Sequence, residues 1–544
     1  MKNKKVAVVL GLLLSGLTSV ALAAPSVRTI DEGVPKLNPK AEKVEIQTSN
    51  LKKSSHEMTM FKVSQITVKG DELPFSESDY AKITKEYLNK DITLNDLNDL
   101  AISITKYVRS HGYIAAAAYI PQQKAVDGNI LIRVLPGVSG RIILNNESRL
   151  TPRKAKMLTA RLESGKIIRT KNLESILYGI NELGGLNATA VLSAGKDIGT
   201  SDVNINIVDG KANNTVIYSG NYGSESAGRY RYGIMSAFNN VNNIGDKISV
   251  GALISNQRQH NYSLSYELPM GEGGSTYGIT ASRMDYELGG VFKDTLHPTG
   301  IANTISVFGK TPIIKTTKNH LDVKYGYDYR KLEDDLENFN LNDKKHSHAI
   351  HIGLDGRTRS GRGLTAYDLT VYTGELGFDS DYARFLHGTS NIEGRYTKGV
   401  LNINHLQVIA PRWDLFGDIT MQKASCNLDG SEQIFIGGID GVRAYPQGEG
   451  EGDEGWQSTL GIRYHTGVEG LNLSTYFDVG HVKSRNDGSG YGQTLKGWGI
   501  GVAYNGPNQY FVRLDYARRI GEDEISIDTY DDKARMWFMV GKQF

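Results

Sequence analysis

Arg443 lies in the run Phe435-Ile436-Gly437-Gly438-Ile439-Asp440-Gly441-Val442-Arg443-Ala444-Tyr445, and Asp478 in Phe477-Asp478-Val479-Gly480. A guanidinium and a carboxylate offer one chemistry, a forked pair of parallel hydrogen bonds that Lys cannot copy. Asp478 belongs to a segment in which Leu471, Leu473, Phe477 and Val479 fall on one face and Asn472, Ser474 and Asp478 on the other. If the apolar face meets lipid, Asp478 projects into a lumen, where an unpaired charge is costly. Arg443 is its natural partner if the loop folds inward. An Arg and an Asp that each face water are the alternative these residues alone leave open.

The loop runs on through Gly448-Glu449-Gly450-Glu451-Gly452-Asp453-Glu454-Gly455-Trp456. Glycines at this density permit positive φ and a chain that folds back tightly on itself. A loop this long without periodicity is usually functional or disordered. Val442 and Tyr445, flanking Arg443, argue for one that packs.

Other chemistry is thin. No Gly-x-Ser-x-Gly elbow occurs, and Ser164-Gly165-Lys166 lacks the upstream glycine of a phosphate loop. His346, His348 and His351 cluster near a strand start, where a solvated turn is a better reading than a metal site. The single cysteine, Cys426, excludes an internal disulfide and offers no metal-ligand spacing. A net charge of +2 shows no preference for nucleic acid. We therefore expect no enzyme, no cofactor, no metal and no nucleic-acid partner.

The elements that must position the loop begin with an exported N-terminus. Lys2, Lys4 and Lys5 precede an apolar run from Val6 to Leu22 that closes on Ala21-Leu22-Ala23, so residues 1–23 read as a signal peptide. Residues 24–60 are polar, with Pro25, Pro35 and Pro39, and read as a linker. An α/β unit comes next, over 61–137. Its strand covers Phe61 to Lys69, and Thr93 caps a helix that buries Leu97, Leu100, Ala101, Ile104 and Val108. Strands over Tyr113–Ile120 and Asn129–Leu135 flank the Asp127-Gly128 turn. The same grammar recurs over 138–210, with Thr151-Pro152 opening a helix, then a helix carrying Leu173, Ile176, Leu177, Ile180 and Leu183, then two strands.

From about Asn213 helical periodicity disappears. Segments of about ten residues alternate between an apolar face and a polar one. Val250, Ala252 and Ile254 share a face against Ser249, Gly251 and Ser255, and Leu460, Ile462 and Tyr464 alternate with Gly461 and Arg463. A soluble sandwich would also alternate. Export, the length of the all-strand region and a final strand ending in Phe544 favour a membrane barrel over 211–544. At about twenty residues per strand and connection, roughly sixteen strands fit, an even number as bacterial barrels require.

The paired α/β units, the barrel, the loop motif Phe435-x-Gly437-Gly438…Val442-Arg443-Ala444-Tyr445 and the strand motif Phe477-Asp478-x-Gly480 together resemble the two-partner secretion transporters of the Omp85 superfamily. The resemblance implies two periplasmic POTRA domains, a sixteen-stranded outer-membrane barrel, and a loop at about 437–455 folded into the lumen. It implies that Arg443 pairs with Asp478 of the Phe477-Asp478-x-Gly480 strand, and that Phe544 ends a signal read by the barrel assembly machinery. It also implies export of a large partner exoprotein, bound by the POTRA domains, through a pore set in outer-membrane lipid. A short plug helix within about Glu42–Lys53 is a weaker expectation. Ala444 departs from the family's usual glycine, so the backbone there should need no strongly positive φ. An outer-membrane assembly factor of the same superfamily is the alternative, although such factors generally carry more POTRA units.

Overall fold

The computed structural model describes residues 44–46, 60–70, 72–124, 127–289, 297–485, 492–521 and 532–544. The expected signal peptide and most of the expected plug helix lie outside them. The chain divides into two compact units, one of α/β character ending at Gly210 and one formed almost wholly by the residues from Lys211 onward.

The α/β unit is built twice over the same plan. In the first copy β3 (Gln65–Gly70) runs parallel to β6 (Asn129–Leu135), and β5 (Ala117–Tyr119) pairs antiparallel on the other side. Helices α1 (Glu77–Thr84) and α2 (Leu94–Ser110) cover one face. Thr93 opens α2: its Oγ1 accepts the Asp96 N–H at 3.2 Å, while the Asp96 carboxylate accepts the Thr93 N–H at 2.7 Å. That reciprocal pair satisfies two donors that a helix start leaves orphaned, and it holds the Asp96 carboxyl below its usual range. Leu97, Leu100, Ile104 and Val108, spaced for one helical face, pack on Ile130, Ile132 and Val134.

In the second copy β7 (Val138–Asn146) runs parallel to β9 (Thr200–Asp209), with β8 (Leu186–Ala194) antiparallel to β9. Helices α3 (Pro152–Thr159) and α4 (Thr170–Glu182) bury Leu158, Leu173, Ile176, Leu177 and Ile180 against Ala190, Leu192, Val203 and Ile205. The two copies are locked where Arg169 lies 3.9 Å from the Tyr113 ring centre and the Ile168 N–H bonds the Gly137 carbonyl at 2.9 Å. Gly137 has φ +78° and sits so close to Ala115 that a Cβ would overlap it.

Three sequence expectations change here. The strand expected over Phe61 to Lys69 is two short strands broken at Ser64, because β2 (Phe61–Val63) pairs with β4 (Lys90–Ile92) rather than continuing into the main sheet. The strand expected over Tyr113–Ile120 shrinks to Ala117–Tyr119; Tyr113 is instead buried in the core. The described part of the expected plug helix is strand β1 (Val44–Ile46), which adds parallel to β8 with Val44 opposite Ala190.

The second unit is a closed barrel of sixteen strands. In chain order these are β10 (Asn213–Gly220), β11 (Arg231–Asn239), β12 (Lys247–Ser255), β13 (His260–Met270), β14 (Ser275–Glu287), β15 (Pro298–Lys315), β16 (Asn319–Leu336), β17 (Leu341–Ser360) and β18 (Gly363–Phe378). After helix α5 (Asp381–His387) come β19 (Gly394–Ala410) and β20 (Trp413–Ala424). The final five are β23 (Glu454–His465), β24 (Leu471–Lys483), β25 (Gly492–Asn505), β26 (Tyr510–Arg519) and β27 (Ala534–Gln543). Two short strands, β21 (Ile434–Phe435) and β22 (Glu451–Gly452), lie in the loop between β20 and β23. The barrel closes where β10 meets β27, from Val216 opposite Gln543 to Gly220 opposite Met539.

The alternation decides which way the barrel faces. Ile234, Val250, Leu264, Ile279, Ile305, Ile350, Ile352, Leu460 and Ile500 are all exposed on its outer wall. Asp322, Asp328, Lys345 and Asp478 are turned inward and paired. A continuous apolar belt around a polar interior is the arrangement lipid selects; a sandwich would have buried the belt against a second sheet. No helix among the described residues is long and apolar enough to cross a membrane.

Candidate functional site: an inward loop held at tip and base

The loop between β20 and β23 folds into a hairpin. β21 pairs with β22, then the Ile436 N–H bonds the Gly450 carbonyl at 3.0 Å and the Gly437 N–H the Glu449 carbonyl at 2.8 Å. The chain turns back at Gly438, φ +114°, where a Cβ would overlap the Gln447 amide. Gly437 is held as closely, its absent Cβ lying 2.7 Å from that of Glu449. The turn lets the Val442 N–H bond the Ile436 carbonyl at 2.7 Å.

This folding presents Ile436, Val442, Ala444 and Tyr445, all fully buried, to Tyr476, Val482, Leu495 and Ala517 of the wall. Burying an apolar side chain of this size contributes about 1.5–3 kcal/mol, so the tip is docked by packing as well as by charge. Gly480 lies under Ile436, and Gly497 under the methyl of Ala444. Ala444 has an ordinary backbone conformation without positive φ.

Arg443 is the centre of the tip. Its Nε donates to Asp478 Oδ2 at 2.9 Å and its Nη2 to Oδ1 at 2.7 Å, while its backbone N–H reaches Oδ2 at 3.1 Å. Thr459 Oγ1 donates to Asp478 Oδ1 at 2.8 Å, so the carboxylate accepts four bonds. The guanidinium lies 3.2 Å from the Tyr476 ring centre, and Asp515 stands 3.6 Å from its Nη1. Arg513 meets the other side of Asp515 at 2.7 Å. Two guanidiniums thus face two carboxylates; Arg443, Asp478 and Asp515 are buried while Arg513 keeps partial access to water, so each buried charge has a partner, as burial demands. The Arg443 carbonyl accepts the indole N–H of Trp537 at 2.7 Å.

The base of the loop carries a second set of ion pairs that periodicity did not single out. Glu432 meets Arg330 of β16 at 2.9 Å and Lys398 of β19 at 2.7 Å. Asp429 meets Lys345 of β17 at 2.8 Å, and Lys345, fully buried, also faces Asp343 at 3.3 Å. Asp343 in turn accepts from His387 of α5 at 2.8 Å, which ties a neighbouring loop to the same cluster. The signal available in the sequence was the presence of charged residues at inward positions of β16, β17 and β19. Nothing in the chain order pairs them with Asp429 and Glu432.

The structure separates residues that the sequence groups together. Phe477, which belongs with Asp478 to the motif that the resemblance assigns to the loop arginine, is not in the lumen: it is 43% exposed on the outer wall, as its place on the apolar face requires, because adjacent strand residues point to opposite faces. His346 and His348 share the outer face of β17, whereas His351 bonds Asp328 at 3.0 Å. His346 bonds Asp379 at 2.8 Å, and no group of three or more ligands among the described residues could hold a metal. Phe544 is half exposed at the barrel's end, its N–H on the Thr215 carbonyl at 2.8 Å.

Known proteins share this architecture. Residues 199–504 match the family described as haemolysin secretion/activation protein ShlB/FhaC/HecB, and residues 61–137 match the ShlB-type POTRA domain. The heme/hemopexin transporter protein HuxB of Haemophilus influenzae (strain 86-028NP) is 26% identical over 479 residues, 85% of this chain and 84% of that protein. The hemolysin transporter protein ShlB of Serratia marcescens is 23% identical over 429 residues, 74% of this chain and 72% of that protein. CdiB from Escherichia coli shares the fold, with a TM-score of 0.72 at 17% identity over 96% of this chain and 98% of that one. The chain therefore belongs to the haemolysin secretion/activation family, the two-partner secretion transporters: an outer-membrane barrel with periplasmic POTRA domains that exports a partner exoprotein.

Proposed function

We propose that the inward loop is the gate of this exporter, and that the exoprotein passes once the loop yields. The observation that carries the reading is the forked pairing of Arg443 with Asp478 beneath a tip packed on the wall. A loop held by a small number of directional contacts has two discrete arrangements, docked and released, which a gate requires.

The partner is captured unfolded by the POTRA domains through strand addition, in which main-chain hydrogen bonds give affinity without demanding one sequence. The edge of β8 already carries an added strand, β1, which supports the capacity of that sheet to accept an extended segment. No nucleotide-binding motif occurs in the chain, and we infer that folding of the partner outside draws it through without ATP. The names of the relatives favour a large exoprotein of the hemolysin or hemopexin-related kind. Barrel assembly machinery inserts the chain, reading the strand that ends at Phe544.

The test is a secretion assay in a heterologous diderm host expressing this chain with the large exported protein encoded beside it. The partner should reach the medium only when this chain is present. Retention in the periplasm beside a correctly inserted barrel would count against the reading, and altered levels of unrelated outer-membrane proteins would favour an assembly factor.

A further inference from the structure

The outer wall carries a one-sided band of positive charge at the end away from the periplasm. On β20 the outward column reads Ile419, Met421, Lys423; on β25, from inside the membrane outward, Ile500, Trp498, Lys496; on β26, Leu514, Tyr516, Arg518. In each, an apolar stretch on the outer face ends in an exposed base. β24 does the same with Phe477, Val479, His481 and Lys483.

The register brings these bases together. One rung of paired residues runs Ala534–Arg518–Trp498–Phe477–Leu460–Gly417–His405. It starts at the outer rim on β27 and arrives near the periplasmic end of β19, because the strands of a barrel are tilted. Lys496 stands two residues above that rung, Trp456 four and Lys423 six, so each step across the sheet is offset by a climb along the strand. Arg518, Lys496, Trp456 and Lys423 therefore lie at one height, with Trp498 and Tyr516 just beneath them. Indole and phenol rings at such a height mark the boundary between acyl chains and headgroups.

The charge on this sector is unbalanced. The outward positions of β20, β23, β24, β25 and β26 hold a single carboxylate, Glu454, and it is taken by Lys483 at 3.2 Å and by Arg485. Among the described residues Lys423, Lys496 and Arg518 have no carboxylate within ion-pair distance. The opposite sector mixes both signs on its outer face: Arg258 meets Glu287 at 2.7 Å, Lys331 meets Glu333 at 3.1 Å and His260 meets Asp285 at 2.8 Å, while Arg283 bonds the Asn303 side-chain carbonyl at 3.3 Å. Unpaired bases at a headgroup boundary are the arrangement that attracts anionic lipid.

We propose that the wall formed by β20 and β23–β26 is a binding site for a multiply phosphorylated glycolipid of the outer leaflet, the lipid A anchor of lipopolysaccharide. Lys423, Lys496 and Arg518 take its phosphates, and Met421, Trp456, Trp498, Phe477 and Ile500 take its acyl chains. The same strands carry Asp478 and Asp515 on their inner faces, so the site lies on the outside of the wall to which the loop tip is docked.

The experiment is native mass spectrometry of the purified full-length protein titrated with bisphosphorylated lipid A. A K423Q/K496Q/R518Q variant should lose affinity by roughly ten- to a hundred-fold, and R518Q alone should show a smaller loss. A K331Q/K344Q variant on the opposite sector should bind as the native protein does. Unboiled electrophoretic mobility reports that each barrel is folded. Lipid A stripped of its phosphates should bind the native protein no better than intact lipid A binds the triple variant. Equal affinity of the native and triple-variant proteins, an equal loss in K331Q/K344Q, or undiminished binding of the stripped lipid would each overturn the proposal.

Discussion

Trp537, on the last strand of the barrel, donates its indole N–H to the main-chain carbonyl of Arg443 at 2.7 Å. The tip of the loop is thereby tied to β27, the strand that closes the barrel against β10. Asp478, which holds the same arginine's side chain, is on β24. One residue of the loop thus bridges two separate parts of the wall.

Replacing Trp537 by Phe removes that donor and leaves a buried carbonyl unsatisfied, at a cost of about 1–3 kcal/mol. The loop should stay docked through Asp478 but open more often. Single-channel recordings in planar bilayers should show longer open times for Trp537→Phe, and unchanged gating would place the hold elsewhere.

Arg443→Ala should be more severe, because it leaves Asp478 and Asp515 buried without their shared cation. Breaking a buried pair from one side costs about 3–5 kcal/mol. Secretion of the partner should fall sharply while unboiled mobility still shows an inserted barrel. Arg443→Lys should not restore secretion, since an ammonium cannot make the fork with Asp478. Normal export by either variant would remove the arginine from the mechanism.

The base of the loop should matter for stability independently of the tip. Lys345→Met leaves Asp343, Asp334 and Asp429 facing one another without a cation. The temperature at which the folded band converts to the unfolded one on electrophoresis should drop. Adding Asp429→Asn should recover part of that loss, because the two residues act as one pair. A double variant no better than Lys345→Met would show that the pairing contributes little.

Two small residues of the loop should differ in tolerance. Gly438→Ala places a side chain at φ +114° and against the Gln447 amide, costing about 1–3 kcal/mol. Ala444→Gly asks for no special backbone and loses only a methyl packed on Gly497. Partner secretion should fall in the first variant and stay close to native in the second. The reverse order would mean that the turn at Gly438 is remade on docking.

Much of the architecture is written locally. Alternation with a period of two, broken by Gly and Asn turns, specifies strands with one apolar face, which the closed barrel turns outward. The recurrence of a capped amphipathic helix before two strands specifies the paired α/β units. Alternation turned Asp478 inward and made Arg443 a candidate cation, but the residues alone left both free to face water, and it was the family resemblance that paired them. What local pattern could not supply was which cations and carboxylates meet across the lumen. Lys345 and Asp429, Glu432 and Arg330, and Trp537 and the Arg443 carbonyl are each separated by more than eighty residues. Their meeting depends on sheet closure, on strand tilt and on the direction in which one glycine-rich loop folds. The break at Ser64, where β2 leaves the main sheet to pair with β4, has the same origin. Periodicity fixes which face a side chain takes relative to its neighbours, whereas the partner it finds there is set by the closed three-dimensional register.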